Sequence, residues 1–516
     1  MKRLPSWYRN DGLTVNLLFL VSVVTFGTWF PLAYNIVALN GPQLVVVTWI
    51  RSVGCSRISN TSSIFTDVNE THSQWQLWCS EFIAESGDEV GEMLAENHTL
   101  NAVWALTSAL FSLGGLISAL TSGPLIHRYG LKISILINAA ILVGGTGVCC
   151  LSPVAHSFEM LIVGRIIVGF AVGSGCVLTP MYTAELTPVA LRGALGTLPT
   201  TMFVLGMIAA TVMGLPFVLG NSWGWPILLT LHLLPVGLMC VVLPFCPESP
   251  RHLFLRRGEK VAAEQALVWL RGTTDVQEEL AVIQEEAEKD STRDRVSIVG
   301  LLRSPFLRST LWLAAVPMTA LHFSGYSCLS FYSTAIFSAA GLTRLNSIYA
   351  SLGLWCIFLL VNLVSLTLVD RSGRRILLLI SHAGTLIGLC FLVLTMALTR
   401  HQGYEWTKYG SVASIFFFIV SHGVALFSVP WILGAELFTQ EARAAAMTLI
   451  SVVCWVTELM ATLIFPLIIA AAQEYTFIIF IGFVALTGLF TYWKVPETKG
   501  KTIKQIQDLL RPPNCK

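Results

Sequence analysis

Two copies of the same short motifs lie at the ends of apolar segments in this chain. Glu185 and Arg192 recur as Glu436 and Arg443, each 251 positions later. Residues 128–132 (RYGLK) recur as 371–375 (RSGRR) with a shift of 243, and residues 247–249 (PES) recur as 496–498 (PET) with a shift of 249. Three echoes in the same order at nearly one spacing indicate two homologous halves, an architecture typical of secondary transporters.

The composition predicts that both halves lie in a membrane. Hydrophobic residues make up 54% of the 516 residues and charged residues only 12%, whereas soluble proteins average about 25% charged residues. The mean hydropathy is +0.70. The net charge of +2 includes no basic patch, so no nucleic-acid partner is expected.

Twelve largely uncharged windows are long enough to cross a bilayer as helices, because about 20 helical residues span its hydrocarbon core. They lie near residues 13–38, 101–123, 132–152, 158–180, 192–217, 224–246, 309–337, 345–369, 376–399, 410–435, 444–472 and 475–494. A turn signal at residues 220–222 (GNS) divides the fifth window from the sixth. We predict an all-α membrane protein with twelve transmembrane helices in two six-helix pseudo-repeats.

The positive charges predict the orientation in the bilayer. The first window has a longer apolar core than a cleaved signal peptide and lacks a cleavage pattern, so Lys2, Arg3 and Arg9 are expected to stay attached. The other clusters fall on the same side: Arg128, Lys132, Arg251, Arg256, Arg257, Arg371, Arg374, Arg375, Lys499 and Lys501. Because Lys and Arg concentrate in cytoplasmic loops, we expect both termini in the cytoplasm. The tail has no obvious retention sequence, which favours the plasma membrane.

The loop at about residues 39–100 is predicted to be extracellular. It contains three N-x-[ST] sequons, so we expect glycosylation at Asn60, Asn69 and Asn97. Cys55 and Cys79 share the loop and are a candidate disulfide in this oxidising compartment. The other ten cysteines have no metal-like spacing, so no metal site is expected.

Residues 248–308 are charged and helical in pattern, which predicts a small cytoplasmic helical linker domain between the halves. The predicted organisation is therefore an N-terminal half at 1–247, the linker, a C-terminal half at 309–502 and a cytoplasmic tail at 503–516. A plain solvated linker helix is the alternative, but the linker keeps apolar residues such as Leu267, Val268 and Leu270, which need a packing partner.

Several longer motifs resemble the sugar porters of the major facilitator superfamily. They are Arg165 after Gly164, residues 180–198 (PMYTAELTPVALRGALGTL), 247–251 (PESPR), 369–375 (VDRSGRR), 430–438 (PWILGAELF) and 496–502 (PETKGKT). The runs 225–229 (WPILL) and 243–253 (LPFCPESPRHL) are similar to animal facilitative hexose carriers, especially the fructose-type class. The resemblance implies the major facilitator fold.

The resemblance also implies gating ion pairs at the cytoplasmic helix ends, which hold the halves together when the carrier faces outward and separate when it faces inward. The matching residues are Arg128, Arg165, Glu185, Arg192 and Glu248 in the first half, and Asp370, Arg371, Arg374, Arg375, Glu436, Arg443 and Glu497 in the second. Exposed ion pairs are worth about 0 to 1 kcal/mol each, which suits a latch that opens at thermal energies.

The substrate-binding residues follow the family pattern only in part. Trp431 matches the sugar-facing tryptophan of the family. The family's two glutamines and its asparagine in the seventh window are replaced in residues 321–327 (LHFSGYS), which brings His322 and Ser327 into consideration. Thr200 stands where the family favours a glutamine, Asn362 lies one helical turn beyond a lost asparagine, and Glu458 replaces an asparagine of the eleventh window. Ionisable groups at membrane depth are functional candidates.

These features predict facilitative uniport of a hexose such as glucose or fructose. Proton-driven relatives place an Asp of the first helix beside the Arg of the fourth, yet residues 12–50 contain no Asp or Glu. Two alternatives stay open: a carrier of another small solute such as urate, another organic anion or a polyol, either uncoupled or coupled to protons through Glu458, and a non-transporting sugar sensor. No nucleotide-binding loop or nucleophile constellation is present, so neither an enzyme nor a cofactor is expected, and the oligomeric state is left open.

Overall fold

A computed structural model describes residues 13–62, 97–188, 191, 195–291, 296–501 and 503–510, and the regular elements over this part of the chain are helical. The helices of the N-terminal half are α1 (Val15–Val37), α2 (Gln43–Ser62), α3 (His98–Tyr129), α4 (Leu131–Leu151), α5 (Phe158–Leu186), α6 (Leu198–Met213), α7 (Trp225–Leu228) and α8 (Leu233–Val242). Those of the linker are α9 (Pro250–His252), α10 (Lys260–Arg271), α11 (Gln277–Ser291) and α12 (Ile298–Arg303).

The C-terminal half begins with a broken helix pair. Its helices are α13 (Pro305–Phe323), α14 (Tyr326–Ala339), α15 (Arg344–Ser372), α16 (Arg374–Gln402), α17 (Thr407–Ala425), α18 (Val429–Glu436), α19 (Gln440–Ala472), α20 (Thr476–Lys494) and α21 (Ile503–Leu510). The break between α13 and α14 lies at Ser324 and Gly325, where Gly325 has a φ of 96°.

The helices account for the twelve predicted spans. Nine helical stretches of the described chain are long and apolar enough to cross a membrane. The last of these, Glu441–Lys494, comprises α19 and α20, and Leu198–Met213 is a shorter apolar helix. The broken pair α13 and α14 forms the seventh span. The prediction of twelve spans in two groups of six is confirmed.

Each half packs around its own helices, and the most extensive described contacts between the halves lie along two pairs of helices, which we call seams. In the N-terminal half α1 packs on α5, α6 and α8, and α5 packs on α3 and α4. In the C-terminal half α16 packs on α17 and α20, and α13 packs on α19. The seams between the halves join α3 to α19 and α6 to α15.

The linker helix α10 packs against the N-terminal half, whereas α12 packs against α13 and α19 of the C-terminal half. Thr14 donates its Oγ1–H to the Leu270 carbonyl at 2.5 Å, and Asn16 donates Nδ2–H to the Trp269 carbonyl at 3.0 Å. Arg271 donates to the Leu186 carbonyl at 3.0 Å and forms an ion pair with Glu279 at 2.7 Å. We call the end of the bundle that carries these contacts the linker face.

The long loop begins with a helix that was not predicted. Along α2, Val46, Val47, Ile50 and Val53 form a buried face, so this segment packs on the bundle. Arg57 fixes its far end by pairing with Glu159 at 2.5 Å and 2.9 Å and by donating to the His156 carbonyl at 3.1 Å. The Glu159 partner raises the pKa of Arg57 above its ordinary value.

The predicted modifications of this loop fall largely outside the described residues. Asn69 and Cys79 lie outside them, and the side chain of Asn60 is not described. Asn97 is described and caps α3, because its Oδ1 accepts the Leu100 N–H at 3.0 Å. Cys55 is disulfide-bonded. Its predicted pairing with Cys79 and the three glycosylation sites stay predictions.

Candidate functional site at the interface of the two halves

The motif around Glu248 caps a helix on the linker face of the N-terminal half. Glu248 Oε1 accepts the backbone N–H groups of Lys132 at 3.1 Å and of Ser249 at 3.0 Å. Lys132 lies in the first turn of α4, whose exposed N–H groups and positive dipole end favour a carboxylate. Ser249 donates its hydroxyl to Glu185. Two motifs distant in sequence are thus joined in one cluster.

The same cluster recurs in the C-terminal half. Glu497 accepts the backbone N–H of Arg374 on Oε1 at 2.9 Å and that of Arg375 on Oε2 at 3.1 Å, at the start of α16. Thr498 donates its hydroxyl to Glu436 at 2.5 Å, and Arg374 forms an ion pair with Glu436 at 3.1 Å. Burial opposes ionisation of Glu497, but backbone N–H groups outweigh it and hold its pKa below the ordinary value.

Two glycines make both clusters sterically possible. Gly130 and Gly373 precede α4 and α16 with φ values of 86° and 96°, which side chains rarely adopt. A Cβ on Gly130 would lie 3.0 Å from Glu248 Oε2, and one on Gly373 would lie 2.7 Å from Glu497 Oε2. Each carboxylate therefore occupies the space that a side chain would fill.

The other predicted gating residues have contacts inside their own half. Arg443 donates to the Phe438 carbonyl at 3.4 Å. Arg375 donates to the Tyr492 carbonyl, and the Arg371 carbonyl accepts from Lys499. The guanidinium of Arg128 lies 5.5 Å from the Tyr129 ring centroid. Arg192 lies outside the described residues, as does the side chain of Asp370. Pairing between the halves stays a prediction.

Arg165 is a buried cation whose charge faces carbonyls and an aromatic ring. It is 1% exposed, and it donates to the Asn35 carbonyl at 2.7 Å and to the Thr107 carbonyl at 3.3 Å. Its guanidinium lies 4.7 Å from the centroid of the Phe111 ring, within cation–π range. Its described partners thus include no carboxylate, and they tie α5 to α1 and α3.

His322 lies at the break of the seventh span and is held at both ring nitrogens. Nδ1 lies 2.7 Å from Ser327 Oγ, which bridges α13 and α14, and Nε2 lies 3.1 Å from Cys454 Sγ on α19. His422 of α17 lies 3.2 Å from the Leu321 carbonyl. The structure therefore brings together two predicted residues, His322 and Ser327.

Glu458 is buried without a described partner for its carboxylate. It is 7% exposed, and the hydrogen bonds and ion pairs of the described residues include none to its side-chain oxygens. Its neighbours include Cys176 of the N-terminal half and Tyr326 and Cys454 of the C-terminal half. Because these neighbours come from both halves, Glu458 lies at the boundary between them.

The side chains of Asn362, Trp431 and Thr200 differ in burial and in whether their polar atoms already have hydrogen-bond partners. Asn362 is 1% exposed and its Nδ2 has no hydrogen-bond partner among the described residues. Trp431 is partly buried at the start of α18 and packs against the core of the C-terminal half. Thr200 donates to the Thr197 carbonyl at 2.9 Å in the first turn of α6, so its hydroxyl proton is already used.

A run of aromatic rings links these polar groups. Tyr326 stacks on His422 with ring centroids 4.7 Å apart and planes 2° apart, and it lies 5.8 Å from the Phe358 ring. Phe427 contacts Phe358 at 5.2 Å and, across the two halves, Phe203 at 5.6 Å. Aromatic faces of this kind suit the C–H surface of a ring-shaped solute.

The halves are hydrogen-bonded to each other at the end of the bundle opposite the linker face. Asn40 donates Nδ2–H to the Ser330 carbonyl at 2.9 Å and to Ser333 Oγ at 3.0 Å, and its backbone carbonyl accepts the Thr334 hydroxyl at 2.8 Å. Asn101 donates to the Pro466 carbonyl at 2.9 Å. These bonds tie α3 to α19, and they tie the segment after α1 to α14.

The sequence predicted the functional motifs but not the residues that contact them in the structure. Ser249 and Thr498 stand in the repeated motifs, so their shared position was a signal for a shared contact. His422, Cys454 and Asn40 are single polar residues with no repeat to mark them. Among the described residues, no group of three or more His, Cys, Asp or Glu is arranged to hold a metal ion.

Comparisons with known proteins agree with this architecture. Residues 20–510 match the family model described as "Sugar (and other) transporter". The chain belongs to the sugar transporter family. It is 32% identical over 494 residues to "Solute carrier family 2, facilitated glucose transporter member 3" of Canis lupus familiaris, covering 96% of this chain and 92% of the relative. It is 38% identical over 414 residues to member 1 of Gallus gallus, covering 79% and 82%.

Solved structures of the same fold cover nearly the whole sugar transporter chain. The partially occluded inward-open form of the xylose transporter XylE from E. coli matches with a TM-score of 0.72 at 20% identity, over 95% of this chain and 100% of that one. The proton:xylose symporter XylE bound to 6-bromo-6-deoxy-D-glucose matches with a TM-score of 0.71, over 96% and 99%. The predicted major facilitator fold with twelve transmembrane helices is confirmed.

Proposed function

We propose that this protein is a facilitative uniporter that moves a hexose, such as glucose or fructose, down its gradient by alternating access. The observation that carries the proposal is the similarity over 96% of the chain to a facilitated glucose transporter. The described geometry supports it, because polar and aromatic side chains of several helices meet where the two halves join.

The linker-face clusters supply the rigid bodies that alternating access requires. Each half is closed on itself by one carboxylate at a helix N-terminus, Glu248 on α4 and Glu497 on α16. Two such units rock against each other when weaker contacts between them break. We assign that breakable set to the predicted gating residues, Arg192 and Arg443 first among them.

Uniport rather than symport follows from the surroundings of Arg165. A coupling carboxylate would have to release this guanidinium when it takes up a proton. Here the guanidinium is bound by the Asn35 and Thr107 carbonyls, which do not titrate. The hydrogen bonds of Arg165 therefore do not depend on pH in the physiological range, and Arg165 provides no site for proton coupling.

The substrate is assigned to the space between the halves. Asn362 offers an amide donor, Trp431 and Tyr326 offer ring faces, and His322 with Ser327 borders the helix break. Hydroxyls of a sugar lose water there and need such partners, since an unpaired polar group at membrane depth is costly. We place the linker face in the cytoplasm of a cell whose plasma membrane contains the protein, with both termini on that side.

Radiotracer uptake into proteoliposomes tests the proposal. The panel is glucose, fructose, inositol and urate, with protein-free liposomes as the control. We expect saturable uptake of at least one hexose that stops at equal concentrations inside and outside, with or without an imposed pH gradient. Saturable urate uptake without any sugar flux would refute the hexose assignment, and uphill accumulation driven by protons would refute uniport.

A further inference from the structure

The transport of a neutral hexose does not explain why Glu458 lies at the solute site. A buried carboxylate normally has an ion pair or several hydrogen-bond donors, because desolvating its charge is otherwise expensive. Glu458 is 7% exposed, and among the described residues its carboxylate has neither. The ion pairs of the described residues include none to Glu458, so no described cation compensates its charge.

The position of Glu458 connects it to the solute site. Cys454 lies one helical turn before Glu458 on α19, and its Sγ lies 3.1 Å from His322 Nε2. Tyr326 and Cys176 are further neighbours of Glu458. Tyr326 in turn lies 5.8 Å from Phe358, one helical turn from the unpartnered Nδ2 of Asn362. The carboxylate of Glu458, which can accept hydrogen bonds, and the amide of Asn362, which can donate them, thus border the same run of aromatic rings.

We infer that the site takes a protonated amino sugar in preference to the neutral hexose of the same shape, with Glu458 receiving the ammonium group. The inference rests on the proposed sugar transport and names a narrower substrate class for the same site. An ammonium group supplies both the charge and the hydrogen-bond donors that the carboxylate lacks. The rings of Tyr326 and Phe358 add favourable faces for a cation.

The test compares two solutes that differ at a single position. Glucosamine has an ammonium group where glucose has a hydroxyl, so their inhibition of tracer hexose uptake isolates the charge. We expect glucosamine to inhibit the wild-type protein at a concentration roughly ten-fold or more below that of glucose, as one charge-assisted hydrogen bond predicts. In Glu458→Gln, which keeps the shape and removes the charge, the two solutes should inhibit equally.

Controls separate this inference from the proposed function. Glu405→Gln removes a carboxylate whose side chain is 84% exposed, so the preference for glucosamine should remain. If Glu458→Gln carries no hexose flux, the rise in melting temperature caused by each solute gives the same comparison. Equal inhibition by the two solutes in the wild type, or a preference that survives in Glu458→Gln, would overturn the inference while leaving hexose uptake intact.

Discussion

Replacing Glu497 by Gln tests whether one carboxylate holds the linker face of the C-terminal half together. Its Oε1 accepts the N–H groups of Arg374 at 2.9 Å and of Lys499 at 3.1 Å, and its Oε2 accepts the N–H of Arg375 at 3.1 Å. In Glu497→Gln one oxygen becomes an NH₂ group, which cannot accept a hydrogen bond. One charge-assisted bond at the positive end of α16 is lost, which costs about 2 kcal/mol.

The repeated cluster provides a matched comparison. In Glu248 the same oxygen, Oε1, accepts both the Lys132 N–H and the Ser249 N–H. The amide oxygen of Glu248→Gln can therefore keep both bonds, and only the charge is lost. We expect this variant to cost about 1 kcal/mol or less, as for a charge near a helix end.

Thermal unfolding of the purified protein, followed by tryptophan fluorescence, measures both effects. A loss of about 2 kcal/mol corresponds to a decrease in melting temperature of about 4–8 °C for a unit of this size, so Glu497→Gln should melt well below Glu248→Gln. Glu405→Gln, whose side chain is 84% exposed, should melt like the wild type. Equal melting temperatures for Glu497→Gln and Glu248→Gln would refute the claim that only Glu497→Gln loses a hydrogen bond.

The same comparison has a defined pH dependence. The pKa of Glu497 is lowered in the folded protein from an ordinary value of 4.5, so its stabilising effect is complete above that value. It is lost as the pH falls through the lowered pKa, because the folded carboxylate then takes up a proton. The difference in melting temperature between wild type and Glu497→Gln should therefore shrink below pH 4.5 and stay constant above it. A melting-temperature difference that grows as the pH falls would contradict the claim that the ionised Glu497 stabilises the start of α16.

Three further predictions concern single residues of the helix bundle. Gly115→Val should reduce hexose uptake at least ten-fold, since a Cβ there would lie 2.4 Å from the Trp455 ring, whereas Gly123→Ala, which meets nothing within 4 Å, should not. Arg165→Lys should lower the melting temperature by several degrees, because lysine cannot reproduce both carbonyl contacts of the guanidinium; an unchanged melting curve would contradict this. Ser327→Ala should change the half-saturating hexose concentration about five-fold, as loss of one hydrogen bond to His322 predicts, with maximal uptake preserved.

The fold was predictable because membranes restrict the choices. Windows of about 20 apolar residues can cross a bilayer only as helices, and the repeated motifs divide those windows into two equal groups. The helix α2 escaped prediction, because Val46, Val47, Ile50 and Val53 form a short apolar face with too little hydrophobicity to count as a span. Its packing depends on neighbouring helices that no local pattern reveals.

The linker-face motifs were predicted as ion pairs, and the structure assigns two of their carboxylates a further task. Glu248 and Glu497 bind backbone N–H groups, which every residue has and which no sequence pattern distinguishes. The glycines before α4 and α16 were part of the repeated motifs, but their role depends on φ and on the carboxylate beside them. A repeat in sequence therefore predicted that the two clusters match, and geometry was needed to say what they bind.

His322 and Glu458 show where sequence reasoning reaches its limit. Both are ionisable residues inside apolar windows, and the sequence treats them alike as binding candidates. The structure separates them, because the ring of His322 has neighbours at both nitrogens, one of them Cys454, 132 positions away. Glu458 lies one turn from the same cysteine and has no described partner for its charge. Since the free group is the one able to discriminate between solutes, the specificity of this transporter is expected to depend on Glu458 more than on His322.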